Sequence, residues 1–235
     1  MTVAFTVAPE VLASMELFHD LSPAALEEVM AAARLRRLAK QTRIFDQGDP
    51  AERAYALIDG SVGISQAGSD GAEVVIRFIG PGEMFGAVAL FTNRQYPADA
   101  TTLSNSLKIS WSETDLLALL RRHPQIALNV IRIIGKRLKE AQERMRELAT
   151  QRAEQRVAHA VLRLAQQAGR STVDGTVIEF PLRRKDVADI SGTTLHTASR
   201  ILTAWEKAGL LVSNNQRLTI RKPSGIQLIA DDTPN

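Results

Sequence analysis

The chain has 235 residues, of which 45% are apolar and none is cysteine, and its 29 basic side chains stand against 26 acidic ones. At about 100 to 200 residues per domain, this length predicts one large or two modest domains with hydrophobic cores. The lack of thiols excludes disulfides, cysteine-ligated zinc, iron–sulfur clusters and cysteine nucleophiles. No apolar run approaches the roughly 18 residues of a membrane span, and residues 1–16 lack the pattern of a signal peptide. We therefore expect a cytoplasmic protein with no membrane partner.

The positive charge is concentrated towards the C-terminal end. Residues 1–151 carry 17 basic and 18 acidic side chains, whereas residues 152–235 carry 12 basic and 8 acidic ones, a net charge of +4. Such an asymmetry favours an anionic partner for the last third, although four extra charges also fall within ordinary variation.

The N-terminal half begins with one helix and continues as short strands. Ser22 followed by Pro23 is a typical helix start, and it predicts a helix over residues 24–38. Turn residues then separate short β-rich segments, which cover residues 44–45, 54–58, 61–65, 73–79 and 107–111. This texture predicts an antiparallel sandwich or barrel. No crossover helices intervene, which disfavours a parallel α/β sheet.

A long helix is predicted to start at Pro124 and to carry an apolar seam on a charged rod. The seam residues recur at steps of four and three over three heptads: Ala127, Ile131, Ile134, Leu138, Ala141, Met145 and Leu148. A helix packed on its own β domain usually has a wider apolar stripe, so this pattern predicts a dimer interface with a second copy of the chain. Packing within one chain is the alternative.

The C-terminal third predicts a helix-turn-helix unit with a wing. A first helix stops at Gly169, a strand covers residues 177–180, and two further helices cover residues 184–190 and 194–208. Only three residues around Gly192 separate these two helices, as in units whose second helix enters the DNA major groove. Strands over residues 210–212 and 217–221 flank a tight turn, and residues 230–235 are predicted to be a loose tail.

The second of these helices has an apolar face and a polar N-terminal face. Ile201, Leu202 and Trp205 share the inward face. The candidate DNA contacts on the other face are Arg200, Ser199, His196, Thr194 and Thr197. Arginine can donate two hydrogen bonds to guanine, and we expect the neighbouring polar residues to contact bases, a thymine methyl or phosphate. Four further basic residues are predicted phosphate contacts, with a solvated surface as the alternative: Arg183, Arg184, Lys185 and Arg217.

These residues resemble the Crp/Fnr family of bacterial transcription regulators. The stretch Gly192-Thr-Thr-Leu-His-Thr-Ala-Ser-Arg200 looks like the family's helix-turn-helix, and Ile44-Phe-Asp-Gln-Gly-Asp49 with the segment from Tyr55 to Val62 resembles its β-roll. The resemblance covers about residues 15–225. It implies an α+β fold with a cyclic-nucleotide-binding-like sensor domain over residues 1–123, a dimerisation helix over 124–150 and a winged helix-turn-helix domain over 151–235. It also implies a homodimer that binds an inverted repeat in double-stranded DNA and acts with RNA polymerase.

The departures from the family pattern bear on specificity and on the effector. His196 takes the place of a glutamate of Fnr-like members, whereas Ser199 and Arg200 are kept. The resemblance therefore does not predict which base of the half-site lies opposite His196. Cyclic-AMP-binding members have a Gly-Glu pair and then Arg-Ser-Ala, where this chain has Gly86-Ala87 and Tyr96-Pro97-Ala98. Without an arginine partner, the negative charge of a phosphate diester would be poorly compensated in this pocket. We therefore do not expect cyclic AMP binding by the usual mode.

The effector is predicted to bind the β-roll. Tyr96-Pro97-Ala98 and the missing cysteines resemble the nitric-oxide-responsive, Nnr/Dnr-like branch that controls denitrification, in which haem is the suspected sensor. Residues that could line an effector pocket are Met84, Phe85, Gly86, Ala87, Val88, Leu90, Phe91, Tyr96 and Pro97. His19 is a candidate haem ligand. A core role for the apolar residues and a surface role for His19 are the alternatives, as are another organic ligand or none.

Other function classes find less support in the sequence. A cyclic-nucleotide-binding module of a signalling enzyme or channel would need a catalytic or membrane segment, and neither is visible. The chain lacks a Gly-x-Ser-x-Gly elbow and a phosphate-loop motif, and its four histidines are dispersed. We therefore expect a regulator and not an enzyme.

Overall fold

The computed structural model describes residues 9–67, 73–178 and 180–232. Two compact units divide the chain. Unit 1 comprises residues 1–63 and 79–140, and unit 2 comprises residues 64–78 and 141–235. The predicted α+β class is confirmed, with an N-terminal antiparallel β domain, a long helix and a C-terminal helix-turn-helix domain.

The described residues of the N-terminal half form short helices and strands. Its helices are α1 (Pro9–Ala13), α2 (Pro23–Ala31), α3 (Ala87–Phe91) and α4 (Glu113–Arg122), and a 3-10 turn covers Glu16–Phe18. Its strands are β1 (Arg34–Leu38), β2 (Arg43–Phe45), β3 (Arg53–Asp59), β4 (Val62–Ala67), β5 (Glu73–Ile79), β6 (Met84–Phe85), β7 (Asp99–Thr102) and β8 (Ser106–Ser112).

The strands form two antiparallel sheets, as the turn-separated β segments predict. One sheet has the order β1-β8-β3-β6 and the other the order β2-β7-β4-β5. Trp111 on β8 is fully buried, and its indole Nε1 donates to the Val29 carbonyl of α2 at 2.9 Å. Phe18 packs edge-on against the same indole. The N-terminal helical segments therefore cover the face of the first sheet that carries Trp111.

The predicted helix over residues 24–38 is wrong in its second half. It begins as expected, because the Ser22 hydroxyl accepts a hydrogen bond from the Ala25 amide at 3.3 Å, but it ends at Ala31. Residues 34–38 instead form β1, which pairs along its whole length with β8. Sheet pairing satisfies the backbone of this arginine-rich segment and overrides its good helix propensity.

The C-terminal half is mainly helical with a small sheet. Its helices are α5 (Pro124–Thr150), α6 (Ala153–Ala168), α7 (Arg184–Ser191), α8 (Leu195–Lys207) and α9 (Pro223–Asp231). Its strands are β9 (Gly169–Thr172), β10 (Gly175–Ile178), β11 (Leu211–Asn214) and β12 (Arg217–Ile220), in the sheet order β11-β12-β10-β9. The wing turn has positive φ at Asn215 and Gln216, the backbone that a two-residue hairpin requires.

The predicted C-terminal tail is corrected by α9. Residues 230 and 231 belong to this helix, and Ala230 and Ile226 are buried. Pro223 at the first helical position is a start signal that the sequence analysis did not use. Residues 233–235 lie outside the described part of the chain.

Unit 2 includes a hairpin from the β-roll, a grouping that the sequence does not indicate. Residues 64–78 of β4 and β5 belong to it. The Phe78 and Phe180 rings stack with centroids 4.1 Å apart, and the Lys185 ammonium donates to the Glu73 carbonyl at 3.3 Å. The predicted domain bounds at residues 123 and 150 stay predictions. No helix within the described residues is long and apolar enough to cross a membrane.

Candidate nucleic-acid interface and effector region

The turn between α7 and α8 depends on a left-handed residue. Gly192 caps α7 with φ of 61°, and a Cβ at this position would lie 2.4 Å from the Leu148 side chain. The Arg156 guanidinium donates to the carbonyls of Ser191 and Gly192 at 2.9 and 3.0 Å, so it satisfies two acceptors at the end of α7. Sequence reasoning missed Arg156, because its partners are backbone atoms distant in the chain.

Helix α8 is anchored by its apolar face and by two polar contacts. Ile201, Leu202 and Trp205 are buried as predicted, and the Trp205 indole donates to a Glu154 carboxylate oxygen at 3.0 Å. At the other end, the Thr194 hydroxyl accepts from the Thr197 amide at 3.2 Å and caps the helix. The helix is therefore held by its buried face while its N-terminal polar face is left to solvent.

That N-terminal face brings the predicted base contacts together. His196 and Arg200 are exposed and one turn apart, and Ser199 is half-buried beside them. In the part of the chain that the structure describes, neither Arg200 nor His196 has a hydrogen bond or ion pair. The Thr194 hydroxyl is 3.0 Å from that of Thr197, so these two residues form the cap and border the same surface. The arrangement leaves the Arg200 guanidinium unpaired in the N-terminal half of α8, the part of a recognition helix that can reach base edges.

The four basic residues predicted to contact phosphate differ in whether their side chains already bond to other residues of the chain. The Arg184 guanidinium bonds to the Ser199 carbonyl, the Thr203 hydroxyl and Glu206, which joins α7 to α8. Arg183 caps α7 with the buried Asp186, which raises the pKa of Arg183 by hydrogen bonding. Lys185 pairs with Asp189 at 2.7 Å. Arg217 at the tip of the wing is exposed.

These contacts predict that Arg184 matters more for stability than for phosphate binding. We expect Arg184→Met to lower the free energy of unfolding by about 1–3 kcal/mol, since the carboxylate of Glu206 and two further acceptors lose a charged donor. Lys185→Met is the matched control, because its exposed ammonium should cost little stability. Urea unfolding of both variants checks this, and equal midpoints for Arg184→Met and the unmutated chain would contradict it.

The predicted seam on α5 is exposed along most of its length. Its large apolar members are between 44% and 70% exposed in one chain: Ile131, Ile134, Leu138, Met145 and Leu148. Ala141 is exposed as well, and Ala127 is half-buried. The row is therefore not buried within one chain. This finding argues against the alternative that the seam packs inside its own chain.

The predicted effector residues form two groups. Met84, Phe85, Ala87, Leu90 and Tyr96 are buried, whereas Val88, Phe91 and Pro97 are exposed. The ring of Tyr96 stacks on Phe45 with centroids 3.8 Å apart, and Tyr55 stacks on Phe85 at 5.3 Å. The Tyr96 hydroxyl donates to the Arg53 carbonyl at 2.8 Å. Burial, with a smaller contribution from Tyr96, raises the pKa of Tyr55.

Gly86 lies against this aromatic cluster, which comprises Phe45, Tyr55, Phe85 and Tyr96. Its φ is +73°, and a Cβ there would lie 3.0 Å from the Tyr55 ring and 3.3 Å from the Tyr96 ring. Tyr96 is thus packed into the core beside Gly86, and its hydroxyl holds the backbone of β3. The space next to this glycine is filled by rings of the chain itself.

His19 lies elsewhere in unit 1. Its imidazole is exposed and its Nδ1 is 3.1 Å from an Asp20 carboxylate oxygen, and the Asn129 amide donates to its carbonyl at 2.8 Å. It borders a cavity of about 210 Å³ whose other lining residues are Glu16, Asn129, Arg132, Ile133 and Lys136. None of the predicted effector residues lines this cavity. No group of three or more acidic or histidine residues within the described chain could hold a metal ion.

Two domain families match the chain. Residues 35–123 match the cyclic nucleotide-binding domain, and residues 155–229 match the Crp-like helix-turn-helix domain. Both matches fall on the elements described above, the β-roll with α4 and the segment from α6 to α9.

Known relatives match along nearly the whole chain. The nitrogen fixation regulation protein FixK of Rhizobium meliloti is 30% identical over 223 residues, which are 93% of this chain and 95% of the relative. The cyclic AMP receptor protein of Thermus thermophilus is 29% identical over 214 residues, 91% of this chain and 96% of the relative. The structure of FixK2 from Bradyrhizobium japonicum has the same fold, with a TM-score of 0.73, 23% identity and coverage of 86% of this chain and 99% of that one. The chain is a DNA-binding transcription regulator of the Crp/Fnr family.

Proposed function

We propose that the protein is a homodimeric, sequence-specific regulator that reads an inverted repeat in double-stranded DNA. The N-terminal face of α8 carries this proposal, because Arg200 and His196 are exposed and unpaired within the described residues while the opposite face of the helix is buried. Arg200 would donate two hydrogen bonds to a guanine, with Ser199 and His196 on neighbouring bases. Arg217, Lys185 and Arg183 would lie near phosphates.

The dimer would form along α5. The exposed row from Ile131 to Leu148 repeats at heptad spacing, so two such helices can bury their rows against each other. A two-fold axis along this seam would place the two α8 helices in successive major grooves, about 34 Å apart. An inverted-repeat operator follows from that symmetry. Contact with RNA polymerase at such a site is part of the proposal that rests on the family alone.

Regulation would be a two-state process. An effector at the β-roll would bind one arrangement of the dimer better than the other, and only this difference in affinity can shift the equilibrium. The DNA-binding state would be the one in which the two α8 helices match the half-site spacing. The effector is proposed to differ from cyclic AMP, since Tyr96 is buried and the family resemblance puts it in the place of the phosphate-binding arginine.

Haem as the sensor of nitric oxide rests on the resemblance to the Nnr/Dnr-like branch alone, and the arrangement of the β-roll residues does not favour it. As they stand, the residues do not fit this group: Met84, Phe85 and Leu90 are packed into the core, whereas Val88 and Phe91 face solvent. His19 borders a different cavity that those residues do not line. A haem would need this part of the β-roll to open.

An absorption spectrum tests the haem hypothesis directly. From this arrangement, we expect the protein to stay colourless when it is expressed with haem supplementation or reconstituted with haem afterwards. A Soret band that shifts with nitric oxide would contradict this expectation and support the gas-sensing branch. In that case, His19→Ala would show whether the imidazole is a ligand, because loss of an axial ligand moves the band.

The DNA-binding proposal is tested by selecting duplexes from a randomised pool. We expect enrichment of an inverted repeat with a guanine in each half-site. If duplexes are retained but no sequence is enriched, the protein binds DNA only through charge and without sequence specificity, and the proposal is wrong.

A further inference from the structure

The sheet β1-β8-β3 presents an uncompensated cluster of cations on one face. Lys108 of β8 is directly opposite Arg36 of β1, and Arg34 is opposite Ser110 in the same register. On the other side, Tyr55 of β3 is opposite Ser110. The Arg53 guanidinium reaches the Ser110 hydroxyl and carbonyl at 3.2 and 3.0 Å. Residues that oppose each other in antiparallel strands share a face, so these cations surround Ser110.

Lys108 is the unusual member of the cluster. The residue is largely buried, with a relative exposure of 8%, although its Nζ is not among the fully buried atoms that lack a partner. Within the described residues, its ammonium has no hydrogen bond and no ion pair, and it lies 4.2 Å from the centre of the Tyr55 ring. A ring face attracts a cation but carries no net charge. A lysine that is largely buried normally has a carboxylate or several acceptors beside it, because partial removal of its charge from water is costly.

The neighbouring charges make the position less favourable still. Like charges directly opposite each other across two strands are destabilising, as Arg36 and Lys108 are. The three strands carry one acidic residue, Asp59, which is opposite Leu107 at the far end of β3. Burial, and then the nearby charges of Arg36 and Arg53, lower the pKa of Lys108 to about 8. The ammonium is therefore still mostly charged near neutral pH, with no anion beside it.

We propose that the face around Lys108 is a binding site for a small phosphate-bearing anion, held by Lys108, Arg36 and Arg53. Three cations converge there, so a phosphate dianion compensates more of the charge than a single carboxylate can. The Ser110 hydroxyl, which already bonds to Arg53, holds that guanidinium in place. The sequence analysis did not identify this site, because the three residues come from three separate strands.

This site differs from the effector region predicted from the sequence. It uses none of the predicted residues between Met84 and Pro97, although Lys108 lies against Tyr55, which is a member of the aromatic cluster beside Gly86. The proposal goes beyond DNA binding and can be tested without DNA. Failure of one proposal would leave the other standing.

Calorimetric titration of the full chain with inorganic phosphate, at constant ionic strength with NaCl, is the test. We expect saturable binding, and a loss of affinity of roughly tenfold or more in Lys108→Met and in Arg36→Gln. Arg37→Gln is the matched control, because Arg37 is the next residue of β1 and opposes Leu107 on the other face of the sheet. A parallel titration with glycerol 3-phosphate distinguishes free phosphate from a phosphate ester as the better ligand.

The pH dependence distinguishes Lys108 from a diffuse basic surface. Above about pH 7.5 inorganic phosphate is a dianion, and the arginines stay protonated. Since the pKa of Lys108 is about 8 and a bound anion would raise it, affinity should be highest at about pH 7.5, where phosphate is mostly the dianion and Lys108 is mostly protonated, and it should fall as the pH rises above 8. The groups that face Lys108 are Arg34, Arg36, Arg53 and Tyr55, and burial keeps the tyrosine neutral over this range.

Three results would overturn the proposal. They are the absence of saturable phosphate binding, equal affinity in Lys108→Met and the unmutated chain, and an equal loss in Arg37→Gln. Thermal unfolding of each variant is measured without phosphate. A loss of affinity counts only for variants that this measurement shows to be folded. Because Arg36 is exposed on an edge strand, Arg36→Gln serves if Lys108→Met does not fold.

Discussion

Replacement of Arg200 by alanine should abolish discrimination at one base pair of each half-site. The guanidinium is exposed at the N-terminal face of α8 and unpaired within the described chain, so its removal leaves the fold intact and deletes a two-hydrogen-bond contact to guanine. We expect a loss of about 1–3 kcal/mol per half-site on the selected operator, with little change on random duplex. Fluorescence anisotropy with both duplexes, at one fixed salt concentration, measures this difference.

Arg217→Ala is the matched control for Arg200. This side chain is exposed at the tip of the wing, where a phosphate contact would carry no sequence information. We expect it to weaken both duplexes by similar factors and to reduce the salt dependence of binding. An equal loss on operator and random DNA in Arg200→Ala as well would remove Arg200 from base recognition.

The second large effect is expected at the α5 seam. Ile134→Glu combined with Leu138→Glu places charges in the middle of the exposed apolar row, and two such rows would then repel each other. We expect a folded monomer with poor affinity for an inverted repeat, because one α8 helix can then occupy only one half-site. Sedimentation equilibrium gives the mass, and anisotropy gives the affinity.

Ile134→Leu with Leu138→Met controls for the mutated positions, since this pair keeps the row apolar and should keep the dimer. If the chain with both glutamate substitutions sediments as the unmutated protein does, the interface lies elsewhere. The far-ultraviolet circular dichroism of both double variants should match that of the unmutated chain, because these side chains are exposed in one chain.

Periodicity predicted the elements that are long or bounded by strong signals. The heptad row on α5, the glycine between α7 and α8, and the asparagine turn of the wing each have a local physical cause, and each element is found in the structure. The prediction of helix over residues 34–38 was wrong, because the partner strand of this segment lies about 70 residues away and no local pattern encodes that pairing. Helix α3 and strand β6 are too short for either periodicity to show.

In the candidate site, too, features with a local cause were predicted and features that depend on distant residues were not. The exposed polar face of α8 is a property of one helix, so the sequence predicts it. The bond of Arg184 to Glu206 joins two helices, and the burial of Tyr96 depends on rings from other segments. Lys108 carries no sequence signal at all, since its environment is created by Arg36, Arg53 and Tyr55 on neighbouring strands. Three-dimensional neighbours, and not local pattern, decide which basic residues are free.

The most direct measurement uses a single thiol. The chain has no cysteine, so His196→Cys offers one attachment site on α8 for an iron chelate that cleaves nearby DNA. Bound to the selected operator, the conjugate should cut in two clusters related by two-fold symmetry, about one helical turn apart, with both clusters in the major groove. Cleavage spread evenly along the duplex, or a single cluster, would contradict a paired insertion of the α8 helices.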